Sequence, residues 1–449
     1  LSELRLIARH AGTVLAGQLA VMAFGVTDTL VAGRHSPEAL AALAVGSAVY
    51  ISVYVGLMGV LQALLPVWAE LQGAERPLEL GRSVRQSLYL CAVASVLGIG
   101  VLVQPEALLR WTGVPDELRA DVGHYLQVLA LALPPALLFR VYSTLNQALH
   151  LPRLVTWLQL AGLALKVPLS MWWAWGGAGV AAQGATGCAW ATLAVNGAMA
   201  ALAALMLSRQ ALYHPYRLWQ RPEPPDWQQL GQFLRLGLPA GLSILVEVTS
   251  FTLMALFVAR LGTTAAASHQ IAANLVAVLY MVPLSIAIAT SARASYWLGA
   301  RQPAHARQAI RTGLLLALGL ATLCSAAVWL GHAGLPRLYT QQAEVASQAA
   351  PLLVWVALYH LFDAAQTVCV FVLRCYRVTV VTLVVYSTLL WGAGLGGGYW
   401  LAYRGLAGWA PWARPDAFWA GSTVALAAVA AIFMPLLWRA VHRPMAPAP

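Results

Sequence analysis

Residues 346–373, ASQAAPLLVWVALYHLFDAAQTVCVFVL, form an apolar run long enough to cross a bilayer, with one acid, Asp363, inside it. At about 3.6 residues per turn, Tyr359, Asp363, Gln366, Thr367 and Val370 share one stripe. A phenol and an amide therefore flank the carboxylate, while the other faces stay apolar. An unpaired carboxylate at the centre of a bilayer costs about 2.5–3.5 kcal/mol even on lenient insertion scales. That cost argues against a lipid-facing position and for an ion or substrate path. The plainer alternative is a neutral, buried Asp that ties two helices together.

The rest of the chain is of the same kind. Of 449 residues, 60% are apolar and 10% charged, and the mean hydropathy is +0.70, outside the range of soluble domains. Stretches of spanning length fall at 10–34, 41–69, 84–105, 121–149, 153–175, 183–207, 231–259, 266–297, 309–331, 346–373, 378–402 and 417–438. The expected class is an all-α polytopic membrane protein with twelve transmembrane helices. Residues 1–10, LSELRLIARH, carry three charges and lead straight into the first stretch, so no removable signal peptide is expected. Cys91, Cys188, Cys324, Cys369 and Cys375 lie in or at the ends of apolar segments without a pairing pattern and read as small hydrophobes.

A net charge of +11 would suggest nucleic acid in a soluble chain, but here the arginines mark topology. The termini and the loops after even-numbered stretches hold eighteen arginines, against seven on the other side (Arg34, Arg110, Arg119, Arg260, Arg337, Arg404 and Arg414). Cytoplasmic loops collect Lys and Arg, so both termini are expected in the cytoplasm of a bacterial inner membrane.

An internal repeat accompanies the twelve stretches. GAERPLELGRSVR from Gly73 matches GARQPAHARQAIR from Gly299 at an offset of 226, VAGRHSPEALAALA from Val31 matches VARLGTTAAASHQI at 227, and LHLPR matches LRCYR at 224. The predicted organisation is a six-helix lobe over 1–207, a proline-rich linker over 208–230 and a second six-helix lobe over 231–449. Six is even, so the halves are parallel repeats related by a pseudo-twofold axis along the membrane normal. That symmetry suits a secondary transporter with a central site between rocking bundles, and an enzyme has no need of it.

Among sixteen acidic residues only Asp28, Glu247 and Asp363 lie well inside apolar stretches. Glu247 shares a face with Ser243 and Ser250, an oxygen-rich strip. Asp28, six residues before Arg34, has the alternative reading of a satisfied acid near a helix end. Lys166, the sole lysine, is either a counter-ion to Asp28 or a side chain that runs along Trp172 and Trp173 to a polar boundary. Arg140 reads as a tether between helices. In the eighth stretch, His269, Gln270, Asn274 and Tyr280 precede Pro283, and Tyr280 is placed to face the same cavity as Glu247. No paired His or Cys ligands, nucleophile elbow or Walker signature occurs, which excludes tight metal binding and direct use of ATP.

These motifs together resemble the multidrug and toxic compound extrusion (MATE) family, in its bacterial NorM-like branch. They are FGVTDTLVAG at 24–33, LKVPL at 165–169, GCAWAT at 187–192, PAGLSILVE at 239–247, ASHQIAANLVAVLYMVPLSIA at 267–287 and YHLFDAAQTVCVFVLRCYR at 359–377. The resemblance covers essentially the whole chain and implies a two-lobed antiporter that exports organic cations in exchange for Na+ or H+. It further implies a cation-coupling set of Glu247, Asp363 and Tyr359, with Asp28 serving the N-terminal lobe, and a cavity lined by Tyr280 and Gln270. Asn274, Gln366, Ser170 and Lys166 complete the expected cavity set. Na+ would bind only transiently at Glu247 and Asp363, with no cofactor. The expected partners are organic cations and the lipid bilayer, with no nucleic acid, and the protein acts as a monomer. Two departures stand out: Ser170 replaces the Asn usual after LKVPL, and Cys375 replaces the usual Gly after Arg374.

Two other functions fit the composition. A lipid-linked oligosaccharide flippase needs a cationic cavity for pyrophosphate, whereas the charges within these stretches are three acids against Lys166 and Arg140. A membrane-embedded enzyme lacks its nucleophile or metal constellation here.

Overall fold

The computed structural model describes residues 3–104, 116–177, 179–221, 223–405 and 410–443; Arg110, counted above on the arginine-poor side, and residue 105, the end of the third stretch, lie outside them. In order the helices are α1 (Glu3–His35), α2 (Pro37–Gln62), α3 (Leu65–Gly73), α4 (Pro77–Val103), α5 (Asp116–Ala148), α6 (Pro152–Trp175), α7 (Ala185–Arg209), α8 (Trp227–Ala259), α9 (Thr263–Gly299), α10 (Pro303–Gly331), α11 (Pro336–Tyr339), α12 (Ala343–Cys375), α13 (Val380–Tyr386), α14 (Gly397–Tyr403) and α15 (Asp416–Val441). A 3-10 turn at Ala211–Tyr216 and a π-helix at Ser387–Gly396 complete them. They make twelve segments long and apolar enough to span, and no strand is found among the described residues.

Proline starts α2, α4, α6 and α10, where its missing N–H is no loss and its fixed φ suits the first turn. Ser36 adds a side-chain cap to α2, accepting from the Ala39 N–H at 3.0 Å. Proline also breaks what the sequence reads as one helix. Pro66 cannot donate to the Gln62 carbonyl, and the second span stops at Gln62 and resumes at Leu65. The eleventh span is interrupted too: α13 widens into the π-helix, which contains Gly392, Gly394 and Gly396, before α14.

The repeat is written in the helix ends. Glu75 (φ 56°) and Arg301 (φ 57°) adopt the left-handed conformation just past α3 and α9, and His150 (φ 60°) and Arg377 (φ 62°) do so past α5 and α12. Each end is closed by a bond running back five residues. Arg76 N–H reaches Leu71 O at 3.0 Å, Gln302 reaches Trp297 O at 2.9 Å, Leu151 reaches Asn146 O at 2.8 Å and Val378 reaches Leu373 O at 3.0 Å. His150 and Arg377 stand 227 apart, so the offset of 224 for LHLPR and LRCYR is three residues out. Sequence matching aligns two arginines, whereas the capping geometry sets the true register.

By contacts the chain divides into two compact units, residues 16–241 and residues 242–449 together with the chain up to Leu15. Each is built around one central helix. The apolar windows of α5 and α12 are 78% buried, against 17–44% in the other spans. The stretch 346–373 is thus the core of its unit. The boundaries fall inside α1 and α8, after Leu15 and Gly241, 226 residues apart. In the unit that includes α9, the start of α1 is fixed by Glu3, which accepts from Arg293 Nη2 at 2.6 Å, Arg293 Nε at 3.1 Å and Trp297 Nε1 at 3.1 Å. In the other unit, the start of α8 lies close on α2 through Gly237 and Gly241. A Cβ at Gly241 would sit 2.5 Å from the Gly56 carbonyl oxygen, as in small-xxx-small helix contacts.

The stretches 211–221 and 223–226 are fastened to α4 and α5. Arg85 pairs with Glu223 at 2.6 Å and donates to the Arg217 carbonyl at 2.7 Å, Tyr89 donates to the Glu223 carbonyl at 2.7 Å, and Tyr213 donates to Asn146 Oδ1 at 2.6 Å. Gly81 permits this approach, since a Cβ there would overlap the Tyr216 carbonyl oxygen. Gly81→Val should therefore lift the 3-10 turn and speed trypsin cleavage after Arg217 several-fold in detergent-purified protein. An unchanged cleavage rate would mean that the backbone contact is dispensable.

Candidate functional site

In the unit built on α12, helix periodicity brings the chemistry to one face. Asp363 is 2% exposed and its Oδ1 accepts from Gln366 Nε2 at 2.9 Å. Gln366 Nε2 also donates to Thr367 Oγ1 at 3.1 Å, and the Tyr386 hydroxyl of α13 donates to Gln366 Oε1. A phenol, an amide and a carboxylate thus form one hydrogen-bonded chain. The amide holds the carboxylate and the phenol holds the amide.

Glu247, on α8 and only partly exposed, makes no hydrogen bond or ion pair among the described residues. It interacts electrostatically with Asp363 and Arg374. Arg374 is 3% exposed, lies 4.4 Å above the Phe371 ring centroid, and leaves Nη1 without a hydrogen-bond partner. Tyr280 of α9 is within the field of Glu247, Asp363 and Arg374. With both acids ionised, two carboxylates and one guanidinium leave a net charge of −1.

The remaining expected residues are placed as follows. Tyr359, one turn before Asp363, sits in an aromatic cluster, edge-on to Phe251 at 5.8 Å and to Trp419 at 5.9 Å. It makes no hydrogen bond to Asp363, although both carboxylates act on it. His269 packs on Trp419 at 5.7 Å. Gln270 and Asn274 are exposed and bond to each other at 3.0 Å, apart from the Asp363 network.

In the other unit, Asp28 of α1 is held by Lys166 and Ser170 of α6. Lys166 Nζ lies 2.7 Å from Asp28 Oδ1, and the Ser170 hydroxyl donates to the same oxygen at 3.0 Å. Of the two readings for Lys166, the counter-ion geometry is the one present. Trp172 and Trp173 stack on each other at 5.6 Å. Lys166 also donates to Thr192 Oγ1 at 2.7 Å and to the Cys188 carbonyl at 3.0 Å. Arg140 is buried.

Sequence reasoning missed Arg374, Tyr386, Thr192 and Cys188. Arg374 counts with the loop arginines by its position at the end of a span, yet it follows Asp363 by eleven residues, about three helical turns, and so lies on the same stripe. That spacing was a usable signal. Tyr386 reaches in from a different helix and had none. Tyr386→Phe is expected to leave Gln366 Oε1 a buried acceptor without a donor and to destabilise the protein by about 1–3 kcal/mol. Thermal unfolding in detergent checks this, and an unshifted midpoint would remove Tyr386 from the network.

Residues 14–172 and 239–400 match the MatE family. The chain is 38% identical over 439 residues, 97% of its length and 94% of the relative's, to a probable multidrug resistance protein NorM from Aromatoleum aromaticum. It is 32% identical over 444 residues to the multidrug resistance protein PmpM of Pseudomonas aeruginosa, covering 98% of this chain and 92% of that one. Its fold is similar to the crystal structure of the eukaryotic MATE transporter AtDTX14, with a TM-score of 0.86 at 19% identity over 97% of this chain and 95% of that one. The bent form of the Vibrio cholerae MATE transporter VcmN gives 0.82 at 20% identity, covering 98% and 97%.

Proposed function

The chain belongs to the MatE family of multi-pass membrane transporters, and from that premise we propose that it is a secondary active multidrug efflux antiporter, exporting organic cations in exchange for Na+ or H+ by alternating access. The relatives named as multidrug resistance proteins support the cargo class. The observation that carries the coupling is Glu247, a carboxylate within a spanning helix that the protein leaves unpaired beside Asp363 and Arg374.

When both acids are ionised and a monovalent cation joins this cluster, its net charge goes from −1 to zero. An organic cation then loses the field that held it, up to several kcal/mol at close range in a low dielectric, and leaves to the outside. Tyr280, partly exposed, offers a ring face to a lipophilic cation, worth about 0.5–2 kcal/mol, whereas Tyr359 is buried against Phe251 and Trp419. Gln366 orients Asp363, while Gln270 and Asn274 contribute polar surface for cargo; Ser170 and Lys166, expected in the cavity, are fully buried and turned to Asp28 instead. Asp28 stands apart, because Lys166 and Ser170 already hold it. The reading further includes lobes at 1–207 and 231–449 with a linker at 208–230, a monomer, and both termini on the cytoplasmic face of the inner membrane, supported by the arginine bias.

The test is transport of a fluorescent organic cation in proteoliposomes under imposed gradients. A sodium jump at constant pH and a pH jump at constant sodium separate the two coupling ions. Transport indifferent to both jumps would refute antiport.

A further inference from the structure

One buried charge has no part in the coupling described above. Lys166 is fully buried, and its ammonium has three N–H donors. Three oxygens meet them: Asp28 Oδ1 at 2.7 Å, Thr192 Oγ1 at 2.7 Å and the Cys188 carbonyl at 3.0 Å. They come from α1 and α7, while the lysine comes from α6, so three helices converge on one nitrogen. A carboxylate, a hydroxyl and a carbonyl are the hard oxygen donors that a sodium ion takes inside a membrane protein. Here they are all turned to an ammonium. Among the described residues Lys166 is also the one charged group acting on Asp28.

We propose that Lys166 is a tethered cation: its ammonium fills the oxygen cage of Asp28, Thr192 and the Cys188 carbonyl, so the N-terminal lobe carries its neutralising charge in the polypeptide and takes no coupling ion. The proposal rests on the antiport reading and deepens it, since it confines ion binding to Glu247 and Asp363. An ion entering at Asp28 would have to displace an ammonium whose three bonds are made, leaving that ammonium unpaired in a dry helix bundle, where a lone charge is costly. Glu247 presents the opposite case, an acid with no partner to displace. The scaffold is repeated, but the ion chemistry is one-sided. Residue 393, which the 227 offset pairs with Lys166, is Ala393.

The proposal makes Asp28 silent toward ions in the native protein and responsive once the lysine is gone. Equilibrium binding of radioactive sodium to purified protein in nanodiscs, with proton uptake followed by a pH indicator, counts the cations taken per chain. Asp28→Asn should leave that count unchanged. Lys166→Met should add one sodium per chain, and Lys166→Met combined with Asp28→Asn should lose the added one. A lower count in Asp28→Asn that still unfolds cooperatively would overturn the proposal, as would folded Lys166→Met with no added sodium. If Lys166→Met does not fold, the Asp28→Asn arm decides alone. Native protein that takes up neither sodium nor protons would instead refute antiport, and the added site in Lys166→Met would still be read separately.

Discussion

Asp363→Asn is expected to bring gradient-driven accumulation of an organic cation in proteoliposomes down to a ratio of about one. A tenfold ion gradient stores about 1.4 kcal/mol, so one-for-one exchange supports about tenfold accumulation. Asn keeps the size of Asp and still offers an oxygen to Gln366 Nε2, so the bond now at 2.9 Å can form and the fold is retained. What Asn cannot do is change its charge when an ion arrives. Downhill leakage of cargo can persist, but the ion gradient no longer drives it. Accumulation held near tenfold in Asp363→Asn would take Asp363 out of the coupling step and leave it a structural tie between helices.

The second large effect is on stability. In sodium-free buffer Lys166→Met should cost about 3–5 kcal/mol, because it strands a buried carboxylate rather than removing a pair. Adding Asp28→Asn should recover most of that loss, since the double variant has no stranded charge. The comparison works as a double-mutant cycle read by thermal or denaturant unfolding. If the double variant is as damaged as the single one, the cost lies in packing around the lysine stem, and the ion pair contributes little.

The twelve spans were legible because bilayer thickness imposes a length and apolarity that composition displays directly. The stripe around Asp363 was legible for a similar reason: Gln366 and Thr367 lie within one turn, where periodicity alone decides who meets whom. Contacts between helices were not. Nothing in the local pattern aims Tyr386 at Gln366, or Thr192 and the Cys188 carbonyl at Lys166, across 20 to 26 residues. Arg374 was hidden by a competing rule, since an arginine at the end of a span usually reports topology, and here it is buried over Phe371. The break before Leu65 had a visible proline in Pro66, but an apolar run read for length alone passes over it. Asp28 and Lys166 are both visible in the sequence, and only the packing of α1 on α6 distinguishes a pair from two separate residues.

The two boundaries inside α1 and α8 bear on how such a chain can be cut. Severing it within residues 208–230 would not release two autonomous modules, because each fragment would carry away an arm that completes the other's packing: the start of α1 in one case, the start of α8 in the other. Co-expressed fragments should reassemble by exchanging those arms, as domain-swapped partners do. A half-length copy of this chain would therefore hold an arm whose packing surface lies on the missing half.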